Sequence, residues 1–200
     1  MSEQKPEDGA KIEGVGPILQ VPYRPKSKAP AFGSLVPANL DTAIHGALDR
    51  LEDEVGDIDD FVAAKLRIPD RETLWSRFAA EQIDAVALAI WNIDRGMAMV
   101  NGDQTGKGKG RVEAAVLEYG RILGLTPILT TERPDLYAVM GRDLDAIGVE
   151  GPNILATDAG LRGGKAIDLP TGAKLTTQTK DKHDARLAEK LGHHALPSAV

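Results

Sequence analysis

The sequence predicts an α/β fold, a short parallel sheet with crossover helices, preceded by a helical region. Three observations carry that reading. Between Met97 and Asp158, short apolar runs alternate with stretches of helical periodicity, the pattern of strands joined by crossover helices. A glycine-rich basic stretch, "NGDQTGKGKGR" (Asn101–Arg111), lies between the first apolar run and the next helix. Ahead of it, residues 37–72 show helical periodicity alone.

Composition narrows the function classes. Two hundred residues fit one ordinary domain with tails. An apolar fraction of 42% supports a packed core. A net charge of -6 excludes a dedicated nucleic-acid coat protein, so any such binding has to use a local patch. With no cysteine, disulfides and thiolate metal sites are excluded. The start "MSEQKPEDGAKIEG" has no apolar core of a leader, and no run approaches a membrane span. A soluble cytoplasmic protein with no membrane partner is the expectation.

Residues 1–36 read as a disordered arm, charged and rich in Gly and Pro, with three basic residues in "VPYRPKSKAPAFG". The sharper alternative is an arm that packs on a neighbouring domain or meets a phosphate backbone. Residues 37–72 form the helical region. Asn39 or Asp41 caps "LDTAIHGALDRLEDEVG", with Leu40, Ile44, Leu48, Leu51 and Val55 on one face and Gly56 as the stop. A second helix fits "DIDDFVAAKL", capped by Asp57 or Asp59, with Phe61, Val62 and Leu66 buried. The acidic cluster Glu52, Asp53, Glu54, Asp57, Asp59 and Asp60 reads as a solvated face plus helix-start carboxylates rather than a metal site. His45 reads as a helix-surface residue.

Residues 73–160 are expected to hold the α/β core. One long helix fits "LWSRFAAEQIDAVALAIWNIDRG", with Phe78, Ile83, Val86, Ile90 and Ile93 as its stripe. "MAMV" then reads as a buried strand, "RVEAAVLEYGRILG" as a helix and "LTPILTT" as a second strand. Pro134 starts the helix "PDLYAVMGRDLDAIG", and "NILATD" is a third strand. Residues 161–200 are a polar tail, with a hairpin turning at Pro170 to Gly172 and a short helix around "KHDARLAEKLG".

A loop between a strand and a helix is placed to hold a phosphate. Helix N-termini present unpaired N–H groups and the positive end of a dipole. Gly106, Gly108 and Gly110 allow the backbone to wrap an anion. Lys109 stands where a P-loop lysine reaches the β- and γ-phosphates. The match to G-x-x-x-x-G-K-[ST] departs twice. Asp103 replaces the first glycine, and Gly110 replaces the hydroxyl residue that helps hold Mg²⁺. Gln82, on the preceding helix, carries an amide able to pair with an adenine edge.

The stretches "AAEQIDAVALAIWNIDRG", "GDQTGKGKGR" and "LTPILTTERPDLYAVMGRDL" resemble the first helicase-type ATPase domain of the strawberry notch family, over about residues 20 to 160. Large phage and plasmid proteins carry a similar module, there joined to an adenine-specific DNA methylase, and some resemble antirestriction proteins. In that family "GKGR" is itself a hallmark of the loop. The resemblance implies a partial RecA-like P-loop NTPase domain that binds ATP with Mg²⁺ and acts on DNA. It implies that Gln82 recognises adenine and that Thr105, Gly106, Lys107, Gly108, Lys109, Gly110 and Arg111 form the nucleotide motif. Thr130, Thr131 and Arg133 would then contact the nucleic-acid backbone.

A helicase motor also needs an acidic pair after a later strand. "NILATDAG" offers only Asp158, with no following Glu. The expectation is therefore the front part of such an enzyme, with no catalytic residue assigned and its partner the remaining helicase or methylase portion. A non-hydrolysing DNA- or protein-binding assembly module on the same fold is the alternative. A metal site from His183, His193 and His194 is disfavoured, because adjacent histidines point apart on a helix.

Overall fold

The computed structural model describes residues 19–102, 108–131 and 136–149, together with the backbone of 167–168 and 174–175. It is mixed α/β and mostly helical. Strands β1 (Gln20–Pro22) and β2 (Leu35–Pro37) pair antiparallel, Val21 opposite Val36. Six helices follow: α1 (Ala38–Val55), α2 (Ile58–Lys65), α3 (Arg71–Arg77), α4 (Ala80–Ile93), α5 (Lys109–Ile122) and α6 (Leu136–Ala146). A second pair, β3 (Ile167–Asp168) and β4 (Lys174–Leu175), is antiparallel, and the turn expected at Pro170 to Gly172 lies outside the described residues.

Helix α4 is the centre of the packing. Helices α1, α2 and α5 lie against it, and α6 lies against α5. Leu48, Leu51, Val62, Leu74, Ile83, Val86 and Ile90 are completely buried at these contacts. Each such side chain contributes about 1.5–3 kcal/mol through the water it excludes. Val112, Ala115 and Tyr119 bring α5 into the same core, and Met140 and Leu144 bring α6.

Helix boundaries follow local chemistry. Helix α1 starts at Ala38, one residue before Asn39, with Pro37 in the cap position and no side-chain cap bond. Gly56 ends it at φ 81. Asp57, one of two candidates, caps α2 by accepting from the N–H groups of Asp59 and Asp60. The single long helix expected from Leu74 to Gly96 is two helices. Phe78 and Ala79 are extended between α3 and α4, where two N–H groups find acceptors other than helix carbonyls. The Gln82 amide oxygen accepts from Ala79, and the Pro30 carbonyl accepts from Ala80.

Three further expectations need correction. From Leu19 onward the arm is ordered, held to the helices by carboxylates. Asp84, 1% exposed, accepts from the Tyr23 hydroxyl and from the backbone N–H groups of Lys26 and Ser27. Asp59, equally buried, accepts from the Ser27 hydroxyl at 2.5 Å and the Lys28 N–H at 2.9 Å. The acidic cluster is therefore not simply a solvated face: Lys26 pairs with Asp49 and Glu52, and Lys28 with Asp57. His45 is also a tie, its ring bridging the carbonyls of Asp41 and Arg24.

Segments 97–100 and 125–131, read as strands, carry no strand ladder, and a parallel sheet is not seen among the described residues. Most of their apolar side chains face solvent instead, with Val100 93% and Ile128 74% exposed, while Leu129 packs against the core. A strand needs a neighbour for its backbone groups, and none pairs with these. The third expected strand, at Asn153–Asp158, and the helix around Lys182–Gly192 lie outside the described residues. No described helix is long and apolar enough to cross a membrane.

Candidate functional site

The glycine-rich stretch ends at Gly108, which stands at the N-cap of α5 with φ 72 and ψ 36. That left-handed backbone favours glycine. A second constraint acts at the same place: a Cβ here would lie 2.2 Å from Nε2 of Gln82. Gln82 is 3% exposed, and its amide joins two chain segments. Nε2 donates to the Gly108 carbonyl at 3.2 Å, while Oε1 accepts from Ala79 at 3.0 Å. The residue expected to read adenine thus fixes the end of the loop against the start of α4 in this structure.

Helix α5 opens with Lys109, half-buried and without an ion pair or hydrogen bond among the described residues. Its first turn contains no acidic residue. The early N–H groups of a helix lack intrahelical partners, so this end is positively polarised and next to a cation. Arg111 does not add to that charge directly. Its guanidinium donates to the Arg77 carbonyl at 2.9 Å, and Arg77 in turn donates to the Ile147 carbonyl at 2.8 Å. The two arginines brace α5, α3 and the end of α6.

Gly110 is governed by a different neighbour. A Cβ on it would meet Oδ2 of Asp143 at 2.0 Å. Asp143 comes from α6 and is 8% exposed. The glycine that departs from the phosphate-loop pattern is where a carboxylate comes close to the backbone.

Above the site, α4 is held by the arm. Glu81 accepts from the N–H groups of Phe32 and Ser34. Burial raises the Glu81 pKa, but these N–H groups and its own outweigh that, and the net shift is downward. Arm, α4 and loop form one continuous hydrogen-bonded path: Pro30 to Ala80, then Ala79 to Gln82, then Gln82 to Gly108.

The structure therefore brings together Gln82, Gly108, Lys109 and Gly110, with Arg111 turned into a brace. Thr130 is exposed and Thr131 half-exposed, and neither hydrogen-bonds to the loop or to Gln82. Thr105, Gly106, Lys107 and Arg133 lie outside the described residues, as do Asp103, Asp158 and the three histidines His183, His193 and His194. Among the described residues no cluster of three metal-ligating side chains occurs. The donor set fits a polyphosphate by its unpaired N–H groups and Lys109. For a Mg²⁺ bound with it, no hydroxyl stands at Gly110, and the carboxylate found beside that residue is Asp143.

Three carboxylates central to this arrangement, Asp59, Asp84 and Asp143, were not singled out from the sequence as sites. Each lies on an apolar stripe. Asp59 shares its face with Val62 and Ala63, Asp84 with Ala80 and Ala87, and Asp143 with Met140 and Ile147. A carboxylate at helical spacing within such a stripe is the signal, because a buried charge requires partners. No protein-family model, curated protein or solved structure matches this chain.

Proposed function

We propose that this chain is an ATP-binding front part of a superfamily 2 helicase-like ATPase acting on DNA, similar to the strawberry notch family. The observation that carries the reading is the start of α5. Gly108 is left-handed and held by Gln82, Lys109 has no ion pair or hydrogen bond among the described residues, and no acidic residue stands in the first turn of α5. That combination supports an anion of high charge. The parallel sheet of such a domain would be built from segments 97–100 and 125–131, in which Met97, Val100, Leu125 and Ile128 are exposed. DNA is the proposed second partner, through Thr130, Thr131 and Arg133. The remaining helicase or methylase portion, as in the phage and plasmid proteins of the resemblance, is the third.

The test is equilibrium binding of a fluorescent ATP analogue to the wild type and to Lys109→Ala. Loss of a charge-assisted phosphate contact is expected to weaken binding by about tenfold or more, with the melting temperature unchanged. Equal affinities would overturn the reading. An assembly module without turnover is the second reading, favoured by exposed Val100, Leu125 and Ile128. It requires DNA or partner association that is indifferent to ATP.

A further inference from the structure

We propose that Asp143 supplies the Mg²⁺ ligand that the absent Ser or Thr at position 110 would otherwise provide. The proposal rests on the nucleotide-binding reading above and deepens it.

Three carboxylates are buried among the described residues, Asp59, Asp84 and Asp143. Asp84 and Asp59 have donors on both oxygens, all from the arm. Asp143 differs. Its Oδ1 has only a long ion pair, 3.4 Å, to the guanidinium of Arg142, an exposed side chain from the adjacent residue. Its Oδ2 has no hydrogen-bond donor among the described residues, yet remains reachable from solvent. A carboxylate oxygen that no protein donor occupies and that solvent reaches, beside a helix start, is open to a cation arriving with a bound anion.

The position of that oxygen is specific. Oδ2 lies 2.0 Å from where a Cβ of residue 110 would be. A carbon and an oxygen do not approach closer than about 3.3 Å without repulsion. Oδ2 must therefore lie outward from the Gly110 Cα, close to the line a Cβ would take. A Ser or Thr hydroxyl begins along that same line. The carboxylate from α6 thus stands in the region where the phosphate-loop hydroxyl would stand, and Gly110 is the residue that makes room for it.

Charge then decides the chemistry. A carboxylate beside Lys109 and the α5 N-terminus repels a bare polyphosphate. With a divalent cation between them, the same carboxylate attracts it. Mg²⁺ is held in proteins by one or two carboxylates together with substrate phosphates, which suits a site offering a single acid. A neutral hydroxyl makes no such distinction. This chain should consequently depend on Mg²⁺ for nucleotide binding more steeply than a loop with Ser or Thr.

The experiment is titration of the full chain with the fluorescent ATP analogue in EDTA and in Mg²⁺, for the wild type, Asp143→Asn and the double variant Gly110→Ser/Asp143→Ala. Wild type should gain about tenfold or more in affinity from Mg²⁺, within the range of ordinary two-ligand coupling. Asp143→Asn should lose that gain while binding at least as tightly as wild type in EDTA, because the repulsion is gone. The double variant should recover part of the gain through its hydroxyl. An undiminished Mg²⁺ gain in Asp143→Asn would overturn this proposal and leave the nucleotide reading standing. No binding by wild type in either condition would overturn the nucleotide reading and this proposal with it. If Asp143→Asn does not fold, Mn²⁺ with the nucleotide is added to the wild type and NMR signals are followed. Selective broadening of Asp143 supports the assignment, and its absence overturns it.

Discussion

The two ends of α4 contrast sharply. Around its first turn, buried carboxylates and the arm satisfy one another: Asp84 and Asp59 hold the segment from Tyr23 to Lys28, and Glu81 holds Phe32 and Ser34. Beyond its last turn, Met97 to Val100 is apolar, outside any strand ladder among the described residues and largely exposed, and the same holds for Leu125 and Ile128 after α5. One end is a closed module stabilised by polar contacts inside. The other presents strand-like sequence without a sheet. What separates them is not hydrophobicity but whether the segment has found a partner from a distant part of the chain.

The largest way to break the contrast is Asp84→Ala. It leaves the Tyr23 hydroxyl and two backbone N–H groups without this acceptor, while Asp59, Glu81 and the lysine ion pairs still hold the arm. Removing one side of a buried polar network is expected to cost about 3–5 kcal/mol, read from urea unfolding. An unchanged midpoint would mean the arm contributes nothing to the fold. Next is Gln82→Ala, which frees the Ala79 N–H and the Gly108 carbonyl. About 1–3 kcal/mol should be lost. Amide exchange should quicken at Ala79 and Arg111 before it does in the core.

Acid should act more gently, and on the arm end. Lys26 lowers the pKa of Asp49 below its ordinary value of 3.8. At Asp57, burial is outweighed by Lys28, the Asp60 N–H and Arg71, so its pKa is also lowered. Glu81 is shifted the same way. Groups with depressed folded values contribute stability that is present above their unfolded values, 3.8 and 4.5, and lost as pH falls through the folded ones. Asp84 has the opposite sign, since burial raises its pKa against the pull of its donors, so protonating it does not add to the loss. Melting temperature should decline below about pH 4, with Tyr23 resonances shifting first. The smallest effect belongs to the other end. Val100→Lys and Ile128→Lys should change stability by less than about 0.5 kcal/mol, because neither side chain is buried. A larger loss by thermal unfolding would mean these segments are packed in solution.

Much of the helical framework is legible from the apolar period, which marks α1, α2 and α5, and the α2 cap is one of the two acids the sequence offers, Asp57. The break at Phe78–Ala79 is not legible there, because it depends on a carbonyl from Pro30 and an amide from Gln82 rather than on local propensity. The arm was misread for a related reason. Its composition is that of a solvated tail, and what orders it is a pair of acids 31 to 61 residues further on. At the site, spacing picked out Lys109 and Gly110 but gave no indication that Asp143 fills the space at Gly110. Helical periodicity marks which face is buried; it does not say which neighbour a buried charge meets.

The separation of 61 residues between Tyr23 and Asp84 has a consequence for how the chain comes together. The segment that is synthesised early has its anchors in helices made later. At about 5–20 residues per second, several seconds pass on the ribosome before Asp84 follows Tyr23 into existence. During that interval α1 and α2 can coil and meet, whereas the arm has only Asp59 and the flanking acids to meet. The first part of this fold to be made is thus among the last to be secured, and its docking reports that α4 has arrived.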